Sequence, residues 1–138
     1  NRLSLLRREA EGDIVPACGR QGVGFVPFFP LESGMLTGKY TRGTALDGAH
    51  RLANMKPLAD QALTEKNYGI VEALQAFVAA KGHTLLELAM SWLAAKPEVI
   101  SVIAGATTPE QVEQNAAAAD WKLSAGEIAE IDGLTARG

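Results

Sequence analysis

The sequence predicts an α/β fold in which a small parallel sheet is covered by helices. Short apolar segments at residues 1–6, 23–28 and 99–103 alternate with stretches of helical periodicity, and helix-start signals stand in front of those stretches. Alternation of this kind favours parallel strands joined by helical crossovers. Three parallel strands leave both edges of the sheet open, so the chain reads as part of something larger. A closed barrel of eight strand–helix units takes about 250 residues.

Residues 1–6 read as a short strand or strand end. Asp13 is a candidate N-cap for a helix over 14–20, with Pro16 near its first turn and Gly22 past its end. Residues 23–28 form an apolar run between Gly22 and Pro30, the pattern of a buried strand. Residues 31–63 hold Gly34, Gly38, Gly43, Gly48 and Pro57 and show no clean periodicity. A loop of that length inside a compact domain is usually functional.

Ile70, Val71, Leu74, Phe77 and Val78 then share one helical face, and Gly82 ends that helix. Thr84 with Glu87 forms a capping box, followed by the apolar stripe Leu85, Leu88, Ala89, Trp92 and Leu93, and Pro97 stops the helix. Residues 99–103 are the strongest strand signal, with four β-branched apolar residues in five, and Gly105 breaks the run. Thr108-Pro109-Glu110-Gln111 opens the next helix, with Gln111 as the box partner of Thr108. Ser124 with Glu127 opens the last one, which buries Ile128, Ile131 and Leu134.

Composition narrows the function classes. With 138 residues, 47% apolar content, 21% charged content and a net charge of −3, the chain fits one soluble globular domain over 1–138. The mild acidity gives no footprint for nucleic acid or an anionic membrane. No apolar run approaches the roughly 20 residues of a membrane span, and no signal-peptide pattern is visible. The first residue is Asn1 rather than Met, which leads us to expect a fragment or a processed product. Cys18 stands alone, so no internal disulfide forms; it reads as a small apolar helix residue, and a cytoplasmic setting is expected. His50 and His83 are isolated and give no metal site.

Two segments carry candidate chemistry. In residues 103–111 a strand runs through Gly105 into a capped helix, whose first turn leaves N–H groups unpaired and carries partial positive charge. Small residues let a phosphate approach such groups, and Thr107 and Thr108 add hydroxyl donors; an ordinary capped helix has the same signature. In residues 28–40, Phe28 at a strand end offers a face for a flat ring and Lys39 a point charge for an anion. Core packing and a solvated lysine account for the same residues. Tyr40 beside Lys39 does not make a catalytic pair, because neighbours on a loop need not face each other. Gly22-Val23-Gly24 precedes a strand rather than following one, so it is no dinucleotide fingerprint.

Taken together, these segments resemble a known family. Asn1-Arg2-Leu3-Ser4-Leu5-Leu6-Arg7-Arg8 resembles the aldo-keto reductase segment Asn-x-Tyr-Ser-Leu-Leu-x-Arg. Phe28 to Tyr40 is similar to its (aromatic)-Ser-Pro-Leu-x-x-Gly-x-Leu-Thr-Gly-Lys-Tyr motif, and Ile103 to Asn115 to its Ile-Pro-Gly-Ala-x-x-x-x-Gln-x-x-Glu-Asn motif. Asp120-Trp121-x-Leu123-Ser124 matches the start of the closing helix. The likeness is greatest to the bacterial reductases that group with the potassium-channel β-subunit branch.

The resemblance implies a partial (β/α)8 TIM barrel, strands 6–8 with their helices, and an NADP(H)-dependent oxidoreductase that reduces a small carbonyl or aldehyde substrate. It implies that Phe28 stacks on the nicotinamide. Leu31, Gly34 and Lys39 meet the pyrophosphate region, and Arg51 reaches the adenosine end. Gly105, Thr107, Gln111 and Asn115 hold the 2′-phosphate and adenine. The chain departs from the family at Phe29 (for Ser), Leu3 (for an aromatic), Ala104 (for Pro) and Gln114 (for Glu). The family's catalytic Asp, Tyr, Lys and His all belong to the barrel's first half, outside the matched motifs. The alternatives are a non-catalytic nucleotide-binding or interaction module and an inactive remnant. Open strand edges lead us to expect self-association.

Overall fold

The computed structural model describes residues 1–43, 48 and 51–136, Arg51 by its backbone alone. Six α-helices lie at Ile14–Gln21 (α1), Lys56–Ala62 (α2), Glu65–Ala80 (α3), Leu85–Ala94 (α4), Pro109–Ala117 (α5) and Ala125–Thr135 (α6). Short 3-10 turns occupy Glu9–Glu11, Glu32–Thr37 and Arg51–Asn54.

The three expected strands are not continuous among the described residues. They are extended segments joined by isolated parallel bridges, Arg2 to Phe28, Phe25 to Val99 and Phe28 to Ile103, so residues 25–28 lie between the other two. Pro27 accounts for the broken ladder. It brings a carbonyl, which accepts from the N–H of Ile103 at 2.9 Å, but no N–H of its own. The register slips at this point: from one bridge to the next the central segment advances three residues and its partner four. That is the geometry of a bulge. The first segment is cut short by a turn in which Ser4 and Arg7 exchange backbone hydrogen bonds of 2.9 and 3.2 Å.

The helices follow local sequence rules more closely. Thr84 with Glu87 and Ser124 with Glu127 both form complete capping boxes. Gly22 ends α1 at φ 64°. Asp13 stands at the cap position of α1, but its side chain makes no capping hydrogen bond there. The expected loop over 31–63 contains α2, whose Pro57 sits in the first turn, where no hydrogen bond is lost.

The core forms where α3 and α4 pack against the extended segments. Leu3, Leu74, Leu88, Leu93 and Ile131 are fully buried, and Phe25 joins them from the central segment. Each such side chain contributes about 1.5–3 kcal/mol by leaving water. Of the residues expected to bury on α6, Ile131 does so completely, and Ile128 and Leu134 are half-buried. Cys18 is half-buried on α1 against the core. His83 stacks on Trp121 at 3.9 Å between ring centroids, and His50 lies outside the described residues.

Apolar side chains of the extended segments also reach solvent: Val23, Phe28, Ile100 and Ile103 are exposed, Ile100 to 71%. Among the described residues no helix is long and apolar enough to cross a membrane.

Candidate functional site

The bridge from Phe28 to Ile103 brings the two candidate segments together. Phe28 is 40% exposed and meets Phe29 edge-on at 5.7 Å. Gly105 follows Ile103 by two residues, and a β-carbon placed on it would meet nothing within 4 Å. The backbone there is open to a ligand, directly ahead of the α5 N-terminus.

At that N-terminus Thr108 accepts from the N–H of Gln111 at 3.3 Å. The return half of the expected box lands one residue earlier. The Oε1 of Gln111 accepts from the N–H of Thr107 at 2.8 Å and from its hydroxyl at 3.1 Å. Thr107 and Gln111 thus act as a unit on an exposed surface. Asn115 lies one turn further along the same face. Helix α5 has no buried residue. Glu110 is held below the ordinary carboxylate range, first by its own backbone N–H and then by the Thr108 hydroxyl.

Leu31, Gly34 and Lys39 follow Phe28 in a tight coil. Gly34 adopts φ 100°, and its N–H donates to the carbonyl of Leu31 at 2.8 Å. Lys39 folds back over Gly34, with its ammonium 5.1 Å from the Tyr40 ring centre. The side chain of Arg51 lies outside the described residues, so the structure does not join it to this group.

Sequence reasoning misses the anchor of this coil. Glu32 is 2% exposed and accepts from the Arg2 guanidinium on both carboxylate oxygens, through Nε at 3.0 Å and through Nη2. The Ser4 hydroxyl donates to the same carboxylate at 2.9 Å. Phe29, Glu32 and Ser33 all take positive φ, at 58°, 45° and 55°. Such backbone costs about 1–3 kcal/mol per residue and persists only where surrounding contacts enforce it. The available signal was a carboxylate set between Leu31 and Gly34, with no local cue to its partner.

An exposed aromatic ring and an exposed helix N-terminus suit a ligand with a flat ring and phosphate groups, and a phosphate there would take over donors now held by Gln111, Thr108 and Glu110. The comparisons agree with the architecture. The profile of the Aldo/keto reductase family matches residues 1–136, and the chain belongs to that family.

A probable voltage-gated potassium channel subunit beta from Arabidopsis thaliana is 37% identical over 115 residues, covering 83% of this chain and 35% of that protein. An NADH-specific methylglyoxal reductase from Escherichia coli is 36% identical over 121 residues, covering 88% of this chain and 36% of the relative. The solved structure of a glycerol dehydrogenase from Gluconobacter oxydans superposes with a TM-score of 0.80 at 26% identity, over 99% of this chain and 41% of that one. The chain therefore spans about a third of the length of the curated relatives it matches.

Proposed function

We propose that the chain forms the sixth to eighth strand–helix units of a (β/α)8 barrel and carries part of the NADP(H) site of an oxidoreductase acting on a small carbonyl compound. The observation that carries this reading is the Phe28–Ile103 bridge, which sets an exposed aromatic ring beside the Gly105 turn and the α5 N-terminus. In this reading Phe28 offers its face to the nicotinamide. Leu31, Gly34 and Lys39 border the pyrophosphate, with Lys39 as the point charge. Gly105, Thr107, Gln111 and Asn115 border the 2′-phosphate and adenine, and Arg51 serves the adenosine end. When bound, the cofactor supplies hydride to the carbonyl carbon. Proton transfer falls to family residues outside the motifs matched here.

Titration of NADPH into the purified chain, with NADH alongside, tests the reading by nicotinamide fluorescence. Saturable binding that favours NADPH is expected. Binding of neither overturns a self-sufficient site, and preference for NADH overturns the 2′-phosphate assignment, in line with the name of the methylglyoxal reductase.

A second reading, a nucleotide-binding interaction module without catalysis, is favoured by the likeness to a potassium channel subunit and by the exposed side chains of Ile100 and Ile103. Binding of NADPH without turnover by the full-length protein would support it.

A further inference from the structure

We propose that Arg2 is a positioning residue for the ring of the bound cofactor, acting through the coil at residues 29–34. The inference rests on the cofactor reading above for its functional consequence, and on geometry alone for its structural part.

Arg2 reaches four neighbours. Its backbone bridges Phe28, the ring proposed to stack. Its guanidinium lies 5.3 Å from the centre of the Phe29 ring, which in turn braces Phe28 edge-on. The guanidinium grips the buried Glu32 carboxylate in two-pronged fashion. Its remaining Nη1 donates to the side chain of Gln61 at 3.5 Å. Glu32 stands at the start of the long segment between the central extended strand and α3, and Gln61 near its end, so one side chain ties the two together.

The left-handed run explains why such a tie is needed. Phe29, Glu32 and Ser33 sit where residues with a β-carbon are strained. Released from Glu32, the chain there would relax toward ordinary φ values, and the Phe29–Phe28 contact would be lost. Phe29 is also where the family pattern has Ser. Here the ring gives Arg2 a face to lie on, so the substitution and the arginine form one device. A lysine at position 2 could neutralise Glu32, but its ammonium is a point charge without the planar fork that holds Glu32 in two parallel hydrogen bonds while a further nitrogen reaches Gln61.

Loss of Arg2 alone would strand a buried carboxylate and confuse positioning with stability. The informative variant is therefore Arg2→Met/Glu32→Met, which removes both charges, with Arg2→Lys beside it. Each is digested with trypsin without nucleotide. Cleavage after Lys39, next to the coil, is compared with cleavage after Lys122, far from it in sequence; NADPH affinity is measured in parallel.

We expect the double variant to raise the Lys39-to-Lys122 cleavage ratio on the order of 5-fold and the NADPH dissociation constant about 10-fold, with Arg2→Lys in between. Wild-type ratio and affinity in the double variant would overturn the proposal, as would an equal rise at both sites, which marks Arg2 as a residue of global stability. If the wild-type chain binds no NADPH, the cofactor reading fails, while the cleavage ratio still decides whether Arg2 sets the coil.

Discussion

A β-carbon added to Gly34 would stand 2.4 Å from Cε of Lys39 and 2.8 Å from its Nζ. The glycine is needed twice, for its φ of 100° and for the space the lysine occupies. Gly34→Ala is expected to destabilise the chain by about 1–3 kcal/mol through the strained backbone and to push Lys39 off Tyr40. Urea unfolding measures the first effect. A fall in NADPH affinity larger than that of Lys39→Met would show that the coil matters beyond the charge; an unchanged affinity would separate Gly34 from the site.

Gln111→Glu separates helix capping from phosphate binding. A carboxylate in the first turn of α5 suits the helix dipole and still accepts from Thr107, so thermal stability should hold or rise by about 0.3–1 kcal/mol. A phosphate at the same N-terminus would be repelled. NADPH affinity should fall on the order of 10-fold with NADH little affected. Equal losses for both nucleotides would count against the 2′-phosphate assignment at Thr107 and Gln111.

The capping box of α4 should leave an acid signature. Glu87 is held below its ordinary value of 4.5, first by the Thr84 backbone N–H, then by the Thr84 hydroxyl, with His83 adding to it. A carboxylate with a lowered folded-state pKa stabilises fully above its unfolded value, and that contribution is lost as pH falls through the folded one. Thr84→Ala should cost about 1 kcal/mol near neutral pH. The gap between variant and wild type in melting temperature should narrow as pH drops below 4.5. A gap that stays constant down to the acid transition would mean that the Thr84 hydroxyl does not help hold Glu87 ionised.

The exposed apolar side chains of Ile100 and Ile103 predict self-association of the isolated chain. Ile100→Lys, at the most exposed of these positions, should shift light scattering toward monomer at equal concentration. A monodisperse wild-type monomer would sink the prediction at once.

What could be read from the sequence was local. Thr84 with Glu87 and Ser124 with Glu127 were legible because a capping box spans three residues and depends on nothing else. The α3 face from Ile70 to Val78 was legible from period alone, since all its named members are buried. Helix α2 is not legible because Pro57 reads, with the glycines of 31–63, as a breaker, although proline is tolerated in a first turn. The apolar run over 23–28 reads as a buried strand, while Pro27 within it is the cue that the ladder fails. Of the candidate site, Phe28, Gly105, Thr107 and Gln111 were found through motifs and come together through one bridge. The Arg2–Glu32 grip joins residues thirty positions apart, and no periodicity or cap rule reports a contact at that range.

The same long reach constrains how the chain acquires its structure. Phe25 is bridged to Val99, and helices α3 and α4, whose buried residues share its core, lie between them in sequence. During synthesis the central segment emerges well before its partner and its cover. Until Val99 has left the ribosome, Phe25 has no neighbour to pair with on that side. Helices α3 and α4 can dock early, because their contacts are short in sequence and low in closure entropy. The Phe25–Val99 and Phe28–Ile103 bridges must wait for residues 99–103, so the central segment stays unpaired on that side and in need of protection while the chain is still being made.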